Sequence, residues 1–305
     1  MKLLGSYKNG NVSTMIFSDG TKVRQTKDDE FVPAYAENMD IKICDFCDLN
    51  CKFCHEGSSV NGKFGDILNE KFIDTLHPYQ EVAIGGGDAT AHPDLIPFLE
   101  KLKQKKVIAN MTVNQVHFEE KQELIKELVD KKFIYGLGVS LVNPSEKFLS
   151  LVSQYPNAVI HVINGIWNAD SLEKMRKYPN LKILILGYKE LRRGKEYLSK
   201  GKLEVLCQKE WLYQNLEIIL KGNDGKTPIF NAVSFDNLAI EQLNVRRFFS
   251  DKEWERFYMG DDGTMTFYID MVKRQFAKSS TAPLDKRYPL LNGVDDMFSI
   301  IQKEQ

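Results

Sequence analysis

Nothing in this sequence is both long and apolar enough to suggest a membrane span, and neither sign of charge dominates. Its 41 Lys and Arg face 42 Asp and Glu, a formal net charge of −1. A span would take about 20 consecutive apolar residues, and without an overall basic field there is no general attraction to nucleic acid or anionic lipid. Cysteine is scarce, five in 305 residues, an odd number that makes no disulfide framework. Residues 1–10 contain no apolar core of signal-peptide length, so the expected location is cytoplasmic and reducing. A fold of this size buries roughly three quarters of its unfolded surface and needs no staple. The few cysteines therefore call for a chemical explanation.

Four of the five lie within an eleven-residue run, Cys44, Cys47, Cys51 and Cys54. Two CxxC pairs could form a structural four-cysteine zinc site, but zinc knuckles are normally separated by much longer spacers. Cys47, Cys51 and Cys54 also share one helical face, as packed thiols would, yet Asp45, Asp48 and Asn50 favour turns over helix. The third reading is a Cys-x3-Cys-x2-Cys loop. Three thiolates hold three corners of a [4Fe–4S] cubane and leave the fourth iron open.

The rest of the chain supplies a frame. Asn9-Gly10 and Asp19-Gly20 mark hairpin turns between strands over 2–7, 12–17 and 21–25, a small β-meander. From residue 37 strands and helices alternate. Strands are expected at 41–43, 81–84, 107–113, 135–141, 158–163 and 181–186, and helices at 71–76, 97–105, 119–131, 145–153 and 171–177. This rhythm predicts an α/β fold, a partial (β/α)6 barrel of the TIM type over 37–235. The meander (1–36) precedes it, and an α/β extension (236–305) follows. A long helix is expected over 194–221, strands at 229–234 and 237–243, helical segments at 245–249 and 253–258, and a hairpin at 265–269 and 275–277.

The segment from Asp40 to Cys54, with Phe53 before the last cysteine, resembles the signature of the radical S-adenosylmethionine (SAM) superfamily. The resemblance implies that Cys47, Cys51 and Cys54 hold a [4Fe–4S] cluster and that SAM chelates the open iron. Reductive cleavage of SAM would then give a 5′-deoxyadenosyl radical that abstracts hydrogen from a substrate. Cys44 has no counterpart in the motif and reads as a core thiol. Gly85-Gly86-Gly87-Asp88-Ala89-Thr90 resembles the family's Gly-Gly-Glu-Pro-Thr segment, with Asp and Ala in place of Glu and Pro. That match implies SAM contacts at Gly86, Gly87 and Asp88. Softer matches at strand ends add Asn114, Ser140 and Gly187 as cofactor-binding residues.

The substrate, a small molecule or a peptide, is not identified by sequence, and an external flavodoxin- or ferredoxin-like reductant is implied. Three further residues are candidates for catalysis. Cys207 could donate hydrogen, although Leu203, Leu206 and Cys207 share a helical face that reads as core; Tyr188 and Asp270 fall near the expected barrel mouth. Arg192, in a basic run after the sixth strand, is a candidate clamp for a substrate phosphate or carboxylate. The rival function is a zinc-stabilised binding protein without radical chemistry.

Overall fold

The computed structural model describes residues 2–304. Strands β1 (Leu3–Asn9), β2 (Val12–Phe17) and β3 (Lys22–Gln25) form an antiparallel meander of their own. The main sheet begins with β4 (Asn38–Cys44), β5 (Glu81–Gly86), β6 (Ile108–Asn114), β7 (Gly136–Ser140), β8 (Ala158–Ile163) and β9 (Lys182–Leu186), the six strands expected from the sequence. Two more parallel strands flank them, β10 (Ala232–Phe235) beside β9 and β11 (Thr266–Asp270) beside β4. The antiparallel β12 (Gln275–Ala277) and β13 (Tyr288–Pro289) complete the order β10-β9-β8-β7-β6-β5-β4-β11-β12-β13. β10 and β11 do not pair with each other, so the barrel stays open along one seam.

The first residues of β4 alternate with period two. Met39, Ile41 and Ile43 of β4 are buried at 0–1% exposure in the main core, whereas Asp40 between them is exposed. Strand β4 is paired on both edges, so that exposure faces the lumen. Helices α1 (Leu95–Gln104), α2 (Gln115–Glu120), α3 (Gln122–Asp130), α4 (Glu146–Val152) and α5 (Ala169–Met175) connect the successive strands. They bury Phe98, Leu99, Phe118, Ile125, Phe148, Leu149 and Met175 with the sheet's other apolar residues in a single core.

Several local expectations give way to packing and capping. The helix expected at 119–131 is two helices, because Asn114 caps α2 through Val116 N and the chain kinks at Lys121. The long helix at 194–221 divides at Gly201 into α6 (Arg193–Lys200) and α7 (Lys202–Lys221). The strand expected at 237–243 is helix α8 (Asn237–Leu243), since Asp236 accepts from Ala239 N at its start and Asn244 ends it in the left-handed conformation. Helices α9 (Asp251–Phe257) and α10 (Val294–Gln302) follow, α9 with a capping box of Ser250 and Glu253. Residues 71–75 make only a 3-10 turn. The C-terminal part does not merely pack on the barrel, because β11 hydrogen-bonds directly to β4.

The meander packs where the parallel strands begin. Lys22 Nζ lies 2.7 Å from Glu81 and donates to Asn38 at 2.9 Å, while Arg24 pairs with the buried Glu37 at 2.6 Å. Asn157 Nδ2, just before β8, donates to Ser18 O at 3.0 Å. The meander therefore covers the N-terminal end of the barrel, opposite the cysteines.

Candidate active site at the strand C-termini

The cysteine loop leaves β4 at Cys44 and folds back on itself through bridges from Cys44 to Phe64 and from Phe46 to Ser59. Cys47 N donates to Ser59 O at 3.0 Å, Ser59 N to Asp45 O at 3.1 Å and Cys54 N to Cys51 O at 3.2 Å. Asn50, at φ 46°, makes the turn between Cys47 and Cys51. Cys47, Cys51 and Cys54 are all free and partly exposed. Burial raises the Cys47 and Cys51 thiols; neighbouring thiols add to this, and Arg193 opposes it at Cys51. Cys44 differs in kind. It is buried at 0% exposure, its Sγ donates to Phe46 O at 3.8 Å, and burial pushes it up to about 12.

The glycine segment is zipped to this loop. Gly87 N donates to Cys44 O at 2.9 Å and Asp88 N to Phe46 O at 2.6 Å. A Cβ on Gly86 would lie 2.4 Å from Cys44 O, and one on Gly87 2.0 Å from Phe46 O. These two glycines are needed for loop to meet loop. Gly85 is the one with room, since a Cβ there would meet nothing within 4 Å. Asp88 also departs from expectation. Buried at 3% exposure, it accepts from Thr90 N at 3.1 Å and pairs with Lys121 at 2.6 Å, so its carboxylate is already engaged within the protein. His117 bridges it to the cysteine loop, with Nε2 2.7 Å from Asp48 Oδ1 and Nδ1 3.5 Å from Asp88 Oδ1.

Asn114 and Ser140 come together with Cys51. A cavity of about 230 Å³ is lined by Cys51, Phe53, Asn114, Ser140, His161, Leu186 and Tyr197, with Asn114 Nδ2 4.0 Å from Cys51 Sγ. His161 was not anticipated from the sequence. Its ring crosses Gly138, where a Cβ would lie 2.5 Å from it, and burial pushes its pKa down to about 4, so it is neutral at pH 7. Gly187 does not face this cavity. Its N–H donates to Asp236 Oδ1 at 2.8 Å and Leu238 of α8 fills the space beside it, because β10 and α8 extend the sheet beyond β9.

The basic run after β9 latches the cysteine loop. Arg192 donates to His55 O at 3.2 Å and Glu56 O at 2.5 Å, and Arg193 to Cys51 O at 3.0 Å and Ser58 O at 2.8 Å. Arg192, read from sequence as a substrate clamp, here donates to the protein's own backbone. Arg193→Ala removes two charged hydrogen bonds and is expected to cost about 2 kcal/mol in urea unfolding of the metal-free chain. A value near zero would show that the latch is idle.

The three catalytic candidates are placed elsewhere. Tyr188 is 3% exposed and its hydroxyl donates to Gly194 O at 2.7 Å, a packing role. Cys207 is exposed beside Leu203 and Leu206, which are 77% and 45% exposed, so that helix face is surface; α7 buries Val205, Leu212, Leu216 and Ile219 instead. Asp270, 1% exposed, accepts from Val272 N and Lys273 N and faces Lys42 at 3.5 Å. Lys42 in turn pairs with Glu56 at 2.8 Å and with Asp45, a buried network flanking the cysteines.

An open parallel barrel with a three-cysteine loop at its strand C-termini is the arrangement that the sequence resemblance implies. Residues 41–187 match the family model of the Radical SAM superfamily, whose cofactors are a [4Fe–4S] cluster and SAM. Among solved structures, the chain resembles Streptococcus suis SuiB bound to S-adenosylmethionine, with 14% identity, a TM-score of 0.50, and 81% of this chain and 61% of that one covered. SuiB bound to its precursor peptide SuiA also aligns, at 14% identity, a TM-score of 0.49, and 81% and 60% coverage. The likeness is one of fold, and this chain spans about three fifths of SuiB's length. No curated protein matches the sequence. No helix among the described residues is long and apolar enough to cross a membrane.

The residues fit the superfamily's cluster. Sulfurs around a single zinc sit roughly 3.8 Å apart, given Zn–S bonds of about 2.3 Å. Among the described residues, the only His, Cys, Asp or Glu trio with ligand atoms within 4.8 Å of one another is Asp48, Asp88 and His117, with no cysteine in it. Three spread thiols, with the fourth sealed in the core, suit a cubane better than a mononuclear site. Lys121, 2.6 Å from Asp88, already supplies the positive charge a metal would bring to that other trio.

Proposed function

We propose that this chain is a radical SAM enzyme in which Cys47, Cys51 and Cys54 hold the cluster and the cavity beside Cys51 receives SAM. The observation that carries this reading is the convergence of Cys51, Phe53, Asn114 and Ser140 on one cavity at the strand ends. When bound, the cluster and SAM supply, after one-electron reduction, a 5′-deoxyadenosyl radical that takes hydrogen from a carbon.

The protein's part is placement and exclusion of water. Asn114 and Ser140 offer polar groups for SAM's ribose or amino-acid end, and Leu186, Ile163 and Tyr197 give its base an apolar wall. Neutral His161 can accept or donate a hydrogen bond without placing a cation beside the sulfonium. The arginine latch and the Asp48–His117–Asp88 strap keep the cysteine loop from opening. The electron would come from an external flavodoxin- or ferredoxin-like donor, and the location would be cytoplasmic. The substrate would be a small molecule or a peptide, the latter in line with SuiB's precursor peptide.

Anaerobic reconstitution with iron and sulfide tests the reading. A brown protein that forms 5′-deoxyadenosine from SAM with dithionite is expected, and Asn114→Ala should weaken SAM binding about tenfold. A colourless protein holding one zinc would favour the binding-protein alternative.

A further inference from the structure

The barrel's open seam holds a second polar cavity, of about 80 Å³, lined by Asp40, Lys189, Asp236, Asp262, Tyr268 and Lys278 among others. We propose that this cavity binds a primary ammonium or guanidinium group of the substrate, with Asp40 as its counter-ion. The proposal rests on the radical SAM reading above and adds to it the substrate's charge.

Three carboxylates and two ammonium groups line the cavity, which leaves one negative charge uncompensated. The carboxylates differ in what they already hold. Asp236 accepts from Gly187 N and Ala239 N, both at 2.8 Å, and Asp262 from Asn237 Nδ2 at 2.7 Å. Lys189 Nζ donates to Ser280 Oγ at 3.0 Å. Asp40 has no hydrogen-bond or ion-pair partner among the described residues, although its walls confine it enough to push its pKa up to about 6. Asp40 is open to the lumen but has no cation of its own, and an incoming ammonium supplies one. The volume suits a head group, since a water molecule takes about 30 Å³ in the liquid.

On the β5 side the wall between this cavity and the cysteines is built of small residues, whereas on the β4 side it carries the buried Lys42. Asp40 is paired in register with Ala83, and Lys42, one step on along the same face, with Gly85. Ala83 is exposed, and a Cβ on Gly85 would meet nothing within 4 Å. Asp40 precedes Cys44 by four strand residues, roughly 13 Å. The cation would therefore anchor the substrate well away from the hydrogen that is removed, fixing position without entering the chemistry.

The probe is 1,5-diaminopentane, with 1,5-pentanediol and glutarate as neutral and anionic controls. Each is titrated calorimetrically into the full chain, both metal-free and reconstituted with SAM. Saturable binding of the diamine alone is expected, weakened at least tenfold in Asp40→Asn and tightened severalfold in Lys189→Met, which removes a competing cation. Should Asp40→Asn fail to fold, Lys189→Met decides. Absence of diamine binding, a preference for glutarate, unchanged affinity in a folded Asp40→Asn, or no gain in Lys189→Met would overturn the proposal. Because the metal-free chain is titrated too, diamine binding without 5′-deoxyadenosine formation would refute the radical reading and leave the cation site standing.

Discussion

Cys47→Ala, Cys51→Ala and Cys54→Ala, made singly, are each expected to take reconstituted iron from roughly four atoms per chain to below one, with the brown absorption lost. 5′-Deoxyadenosine formation should fall at least about 100-fold, since a cubane left with two protein thiolates is poorly held. Cys44→Ala should keep both iron and activity, because its sulfur is sealed in the core with its S–H donated to Phe46 O. Its cost is packing, about 1–2 kcal/mol of unfolding free energy. Cys207→Ser should change nothing, as that thiol is exposed on an outer helix. Iron and sulfide assays with chromatographic detection of the nucleoside separate these outcomes. Metal loss in Cys44→Ala would revive the four-thiolate zinc site.

Lys42→Met is expected to be the most damaging change outside the cysteines, costing about 3–5 kcal/mol in urea unfolding. Lys42 is 2% exposed, and its ammonium is shared among Asp45, Glu56 and Asp270. Removing it strands buried carboxylates without a counter-ion. Two of these flank the cysteines in sequence, so cluster uptake should fall as well, while Lys42→Met/Asp270→Asn should recover part of the loss. A neutral Lys42→Met would mean that solvent already screens the network. The network also sets a pH window. Burial opposes Lys42's charge, but Glu56, Asp45 and Asp270 outweigh it and raise its pKa. Burial likewise opposes ionisation of Glu56, yet His55 and Lys42 hold it well below the carboxylate range. Its contribution should thus be complete at neutral pH, fading as pH falls below about 4 and as it rises past about 10.

The chemistry of the site was more legible in the sequence than the service roles around it. Cysteine spacing and a turn of small residues are local, and the alternation of strands and helices is enough to place Asn114 and Ser140 at strand ends. Arg193 and His117, and Lys42 toward Glu56 and Asp270, act on groups more than ten positions away, and a basic run or a charged strand residue carries no mark of its partner. Gly86 and Gly87, which the resemblance marks for SAM contact, also let the backbone meet Cys44 and Phe46. Gly187 follows from the resemblance at the end of the sixth strand, where sequence gives no sign that Asp236 and Leu238 come to lie beside it. Cys207 and its neighbours looked like core by spacing alone, but periodicity does not say which stripe of a helix meets the sheet.

The meander has a consequence for traffic through the molecule. With Lys22, Arg24 and Ser18 fastened across the strand starts, the chamber is a cul-de-sac. A reactant must come and go past the cofactors or sideways through the unzipped flank between β10 and β11. A long chain-like guest could thread that slit and keep its ends outside, whereas a compact one would leave only after spent SAM had cleared its path.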